Sequence, residues 1–382
     1  MNNDIGIYIH IPFCLQKCFY CDFNSYANKQ ELVEKYTFAL CNEILKNAEI
    51  LSQYKISTIY MGGGTPSYID SKYIKQILDT LFLFVDKEYL KEVTIEVNPN
   101  SVTEEKLKVY KDSGVNRLSI GLQTNHNDIL KKIGRAHKIE EFEKALDIAN
   151  KVGFNNISAD LIYPLPDLDL NRFNETLDYI LNLKDKNIKH ISIYNLEIHE
   201  NTKLKFLLDE GYVTLVDEDE EYEMYTALNK RFKEAGYNRY EISNYSIPGY
   251  ESNHNLRYWN QSLYLGFGAG ASSFFGGSRY RNENSIEKYI SYLDKGISII
   301  AEKEDLDLLS LMKEYVMLAL RKIEGLDVTN FKSKYKKDVY ELFSEELNSL
   351  INDGLLEKEG NYIHLTQRGL EVANLVWEKF VW

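Results

Sequence analysis

The chain is poor in cysteine, carries no excess of basic charge and has no long apolar run. Each shortage removes a class of protein. Cysteine occurs four times in 382 residues, at Cys14, Cys18, Cys21 and Cys41. A disulfide scaffold spreads many cysteines through a short secreted chain, which this is not. Asp+Glu total 58 against Lys+Arg 45, for a net charge of −13. An acidic chain does not attract phosphate backbones, so no nucleic-acid partner is expected. No apolar run approaches the ~20 residues of a membrane helix; Leu81–Val85, for instance, ends at Asp86 and Lys87. The start, MNNDIGIYIH, lacks the basic region and apolar core of a signal peptide. The expectation is a cytoplasmic protein without a membrane span, with peripheral membrane contact left open. The apolar share of 44% and charged share of 27% are globular, and the length allows two or three domains.

Six β-branched-rich segments read as buried parallel strands: Ile5–Ile11, Ile56–Met61, Glu92–Val97, Arg117–Leu122, Ile157–Tyr163 and His190–Leu196. Between them run amphipathic stretches of helical period, Lys29–Ser52, Tyr73–Phe84, Thr103–Ser113, Glu140–Val152 and Leu170–Leu183. Such alternation predicts an α/β fold with a parallel sheet. Six units are fewer than the eight of a closed barrel, so a partial (β/α)6 barrel is expected. The rhythm then changes. A charged helix, Asp217–Ala235, leads through Tyr237–Ile242 into a Gly-, Ser- and aromatic-rich run from Tyr245 to Gly277. From Ser285 the tail is mostly helical, and Gly354–Leu365 reads as a hairpin turning at Glu359-Gly360, as in a winged-helix-like domain. The expected division is 1–284 and 285–382.

Cys14, Cys18 and Cys21 follow the first strand in a C-x3-C-x2-C run. Thiolates hold iron–sulfur clusters, and a cubane normally takes four. Three leave one iron open, and an open coordination position is where chemistry occurs. The alternative is zinc bound by three Cys and His10. Met61-Gly62-Gly63-Gly64-Thr65-Pro66 follows the second strand, and its glycines admit close approach of a ligand to backbone. Glu96, Gln123, Arg135, Asp160 and Glu197 stand late in or just after the remaining strands. In α/β barrels the site forms at that end, so these residues should converge on one mouth. His254, in HNLRYW, has Asn253 and Asn255 to fix its tautomer and Tyr258 and Trp259 to cover a flat ring. Tyr264–Ser272 is glycine-rich but lacks the context of a phosphate loop. Cys41, on the first helix, reads as a buried small residue.

Together these residues resemble the radical S-adenosylmethionine (SAM) superfamily, and within it the HemN/HemW branch. The C-x3-C-x2-C run is the superfamily's cluster signature. Tyr8-Ile9-His10-Ile11-Pro12-Phe13, GGGTP, the Glu96 motif and Asp160-Leu161-Ile162-Tyr163 mark the branch. The resemblance covers nearly the whole chain. It implies a [4Fe–4S] cluster on Cys14, Cys18 and Cys21, with SAM held at the open iron and cleaved, after one-electron reduction, to methionine and a 5′-deoxyadenosyl radical. It also implies that Tyr8, Gly63 and Glu96 contact that SAM. Gly64, Thr65, Gln123, Arg135 and Asp160 match positions that contact a second SAM in oxygen-independent coproporphyrinogen oxidases. Those oxidases carry a fourth Cys two residues after the third, where this chain has Phe23, and HNLRYW resembles the signature of the heme chaperones of the branch. The resemblance therefore implies a protein that binds heme, with His254 the leading candidate for the iron, and passes it to heme-accepting proteins. An electron donor for the cluster is implied as well. The alternatives are a coproporphyrinogen oxidase-like or heme-degrading radical SAM enzyme and a SAM-binding sensor without heme.

Overall fold

The computed structural model describes residues 4–380. The expected strands form as β1 (Asp4–Ile11), β2 (Lys55–Gly63), β3 (Glu92–Val97), β4 (Arg117–Gln123), β5 (Ile157–Tyr163) and β6 (Ile188–Asn195). Their side chains are buried on both faces, as in parallel sheets covered by helices. The intervening helices are α1 (Val33–Lys46), α2 (Ser71–Leu81), α3 (Glu104–Asp112), α4 (Ile139–Val152) and α5 (Leu170–Asn182). Asp70, Thr103 and Asp169 cap α2, α3 and α5 by accepting from backbone N–H groups, which explains where these helices begin. The predicted helix Lys29–Ser52 is interrupted, since α1 ends at Lys46 and a short helix, Ala48–Gln53, follows Asn47.

Beyond the six units the chain adds α6 (Glu218–Glu234), β7 (Asn238–Glu241), β8 (Asn244–Ser246), α7 (Asn253–Trp259), β9 (Tyr264–Phe267), β10 (Ser272–Phe275), β11 (Ser278–Asn282), α8 (Ile286–Lys295) and β12 (Ile300–Asp305). One 12-stranded sheet runs in the order β12-β11-β10-β9-β1-β2-β3-β4-β5-β6-β8-β7. Strand β9 extends the parallel set by pairing with β1, and antiparallel strands flank it on both sides. The outermost strands, β12 and β7, do not pair with each other, so the barrel is partial.

The strand registers place the functional segments. Ile11 lies beside Gly63, Glu96 beside Ser119 and Gly121 beside Asp160. The cysteine loop, the glycine loop and the later polar residues thus leave the sheet at the same end.

The C-terminal part is helical, beginning with α9 (Leu308–Ala319), and carries a small sheet of β13 (Leu326–Asp327), β14 (Leu356–Glu359) and β15 (Tyr362–Leu365). β14 and β15 are the predicted hairpin. A second core gathers residues from Met312 to Phe380. Ile286, Tyr289 and Leu293 of α8 belong to the first core, and β12 to the large sheet. Among the described residues no helix is long and apolar enough to cross a membrane.

Candidate functional site

At the C-terminal end of the strands two adjoining cavities, of about 430 and 630 Å³, share Lys17, Gly63 and Glu96 as walls. The smaller is lined by Cys14, Cys18 and Cys21 together with Gly64, Thr65, Gln123, Arg135, Asp160 and Glu197. Tyr8 lines the larger, together with Tyr258 and Tyr264. Every predicted site residue except His254 therefore faces one of the two cavities.

The cysteines are free thiols. Each sulfur has its own partner. The Thr65 hydroxyl donates to Cys14 Sγ at 3.6 Å, Arg135 Nη1 donates to Cys18 Sγ at 3.5 Å, and Ser25 Oγ lies 3.9 Å from Cys21 Sγ. Such donors suit thiolates that ligate a cluster. Burial pushes the Cys14 and Cys21 thiols up, and the positive charge of bound iron is what would stabilise their thiolates. A zinc site completed by His10 is not formed, since among the described residues no three His, Cys, Asp or Glu side chains are grouped to hold a single metal ion. His10 Nδ1 is 2.9 Å from the Tyr8 hydroxyl and its Nε2 is 2.8 Å from Asn24 O.

Glu96 ties two strand ends together. Its Oε1 accepts from the Tyr60 hydroxyl at 2.9 Å and its Oε2 from Gly63 N at 3.1 Å. Burial pushes its carboxyl up to about 7. Asp160 accepts from Ser119 Oγ at 3.0 and 2.9 Å and from Ser158 Oγ at 3.2 Å, and burial raises it too. Gly63 has φ +108°, and a Cβ there would lie 2.3 Å from the His10 ring. That glycine is required by the protein's own packing as well as being placed for a ligand. Tyr20, Tyr60, Asn98, Ser119 and Tyr194 also line the smaller cavity. Sequence reasoning passed over them, although Tyr20 lies within the cysteine run and Tyr60 immediately precedes Met61-Gly62-Gly63-Gly64.

His254 stands apart. HNLRYW forms α7, whose first turn is anchored by the buried Glu92, which accepts from Asn253 N at 2.7 Å and His254 N at 3.4 Å. His254 is buried, its Nδ1 2.9 Å from Thr58 Oγ1 and its Nε2 2.9 Å from the Tyr258 hydroxyl. Burial, then the Arg257 and Arg117 charges, push it down to about 3, so the imidazole is neutral. The expected amide partners are not used. Asn253 Nδ2 turns to Glu92, and the Trp259 ring lies 4.5 Å from the Arg321 guanidinium in the C-terminal domain. Tyr258 is the only large side chain of HNLRYW lining either cavity among the described residues.

The fold is that of the radical SAM superfamily, whose family model, "Radical SAM superfamily", matches residues 8–180, while "HemN C-terminal domain" matches 306–372. The "Heme chaperone HemW" of Lactococcus lactis subsp. lactis is 37% identical over 374 residues, covering 98% of this chain and 96% of its own. That of Bacillus subtilis is 35% identical over 376 residues, 98% of either chain. That of Escherichia coli is 30% identical over 380 residues, 99% of this chain and 98% of its own. The chain belongs to the HemW family of radical SAM proteins. Among solved structures, coproporphyrinogen III oxidase (HemN) from Escherichia coli superposes with a TM-score of 0.85 at 22% identity, covering 98% of this chain and 89% of that one, a likeness of fold.

Proposed function

We propose that this protein is a cytoplasmic heme chaperone that holds a [4Fe–4S] cluster and SAM, binds heme and delivers it to heme-accepting proteins. The observation that carries the reading is the convergence of three free thiols, a glycine edge and two half-buried carboxylates at one end of the sheet, in a chain 37% identical to a heme chaperone over 98% of its length. Cys14, Cys18 and Cys21 would hold the cluster, which, when bound, supplies an open iron and one electron received from an external donor. Tyr8, Gly63 and Glu96 would form the edge for SAM, whose positive charge would favour the ionised form of the Glu96 carboxyl that burial otherwise pushes up. Gly64, Thr65, Gln123, Arg135 and Asp160 line the same cavity as the cysteines and would contact SAM there.

Heme iron would take His254 Nε2 after the Tyr258 hydroxyl gives way, since that hydroxyl occupies the nitrogen here. Residues 1–284 would carry the cluster and SAM functions and 285–382 would form a supporting C-terminal domain.

The test is an anaerobically reconstituted sample titrated with heme and assayed for porphyrinogen decarboxylation. Stoichiometric heme binding without decarboxylation is expected. Tyr258→Phe should bind heme about fivefold more tightly, because a hydrogen bond worth about 1 kcal/mol no longer has to break, while His254→Ala should lose the Soret signature. Decarboxylation, or a wild type that binds no heme, would overturn the reading. An unchanged Soret band in His254→Ala would move the ligand elsewhere.

A further inference from the structure

Arg135 spends its hydrogen-bond donors inside the protein. Its Nε donates to His137 Nδ1 at 3.3 Å, and its Nη2 to Asn98 Oδ1 at 2.9 Å and Gly121 O at 3.3 Å. Glycine at 121 leaves room for this approach, since a Cβ there would lie 2.9 Å from Nη2 and 2.7 Å from Gln123 Nε2. His137 is buried, and burial together with the Arg135 charge pushes it down to about 3. It is therefore a neutral acceptor, with its proton on Nε2. These acceptors leave Nη1 directed at Cys18 Sγ, 3.5 Å away, with the Tyr20 hydroxyl also hydrogen-bonded to the guanidinium. Cys14 and Cys21 are met by the neutral hydroxyls of Thr65 and Ser25, so among the described residues Cys18 alone receives a hydrogen bond from a fixed cation. Arginine does not lose that charge in proteins, and charge and hydrogen bonds at the sulfurs set the potential of an iron–sulfur cluster.

We infer that Arg135 sets the reduction potential of the cluster by donating a charged hydrogen bond to the Cys18 thiolate, with His137 and Asn98 as positioning residues that aim its guanidinium. This rests on reading Cys14, Cys18 and Cys21 as the cluster ligands and goes beyond the expected contact of Arg135 with SAM. In the step concerned the oxidised cluster gains one electron from an external low-potential donor, and no bond of the chain forms or breaks. The added negative charge is stabilised by the guanidinium, so the cation makes reduction easier.

The test is a potentiometric titration of the reconstituted cluster, poised with dithionite and followed by the EPR signal of its reduced state, in wild type, Arg135→Gln, Arg135→Lys and His137→Phe. In Arg135→Gln the ratio of reduced to oxidised cluster at a fixed poise should fall about tenfold, equivalent to about 59 mV for one electron. His137→Phe, which removes one acceptor and keeps the charge, should shift it less in the same direction. A ratio within about twofold of wild type in Arg135→Gln, with the cluster intact, overturns the inference. If Arg135→Gln loses the cluster, Arg135→Lys decides by the same comparison. If neither keeps it, the side chain is structural and the inference falls. A wild type that takes up no cluster would instead sink the ligand assignment beneath it.

Discussion

At the scale of single residues, four cysteines of one chemistry divide into two kinds. Cys14, Cys18 and Cys21 face a cavity, whereas Cys41 is buried on α1 with its Sγ 3.9 Å from Gln76 O. Burial pushes the Cys41 thiol up, which keeps it protonated and unreactive. Cys18→Ala should therefore abolish the visible charge-transfer absorption of the reconstituted protein, and Cys41→Ala should keep it; absorption spectra of anaerobic samples decide this. A cluster surviving Cys18→Ala would overturn the ligand set. The division was legible from spacing, because Cys14, Cys18 and Cys21 lie close enough in the chain to reach one cluster from a single loop and Cys41 does not. The surroundings of His254 were not. Its partners are Tyr258, one helical turn on, and Thr58, 196 positions away. Asn253 and Asn255 are its chain neighbours, and adjacency along a helix points side chains apart.

At the scale of elements, β3 and β5 form with the predicted bounds, because a run of β-branched residues buried on both faces has little alternative. The seven-residue α7 and the strands β9 to β12 escaped notice. Seven residues are too few for a helical period to show, and β12 is fully exposed, so its pattern carries no burial signal. What joins these late elements to α1 is Glu43, a charged residue in a core position. Its carboxylate accepts from Gly268 N at 2.8 Å, Asn282 Nδ2 at 2.8 Å and the Tyr289 hydroxyl. Burial nonetheless pushes it up to about 7 from 4.5. The native state then binds more protons than the unfolded chain between those values, so this contribution is full below pH ~4.5 and is lost as pH rises through ~7. The shift corresponds to about 3 kcal/mol. Glu43→Gln, which imitates the protonated acid, should flatten the fall in stability between pH 5 and 7.5. Denaturant unfolding across that range measures it, and a slope equal to wild type's would refute the role.

At the scale of the whole molecule, two cores are held together by side chains far apart in sequence. The Arg321 guanidinium lies 4.5 Å from the Trp259 ring and 4.3 Å from the Trp377 ring, a sandwich joining α7 to the C-terminal helices. Gln261 reinforces it, its Nε2 donating to Leu311 O at 2.9 Å and Glu314 Oε2 at 3.0 Å. No local pattern announces such a contact, since each partner alone reads as an ordinary aromatic or basic residue. The barrel's alternation and the tail hairpin were readable because their signals are local, and the joint between them was not. Arg321 Nε and the indole Nε1 atoms of Trp259 and Trp377 are buried without hydrogen-bond partners. The sandwich itself therefore rests on ring–cation attraction and packing, and desolvated pairs of this kind are worth about 2 kcal/mol or more. Arg321→Met keeps the apolar stem and removes the cation. Hydrogen exchange in residues 308–380 should then accelerate about 30-fold, the equivalent of about 2 kcal/mol in local opening, while β1 to β6 keep their protection. Equal acceleration in both regions would mean that the two cores unfold as one unit and that the sandwich is not their joint.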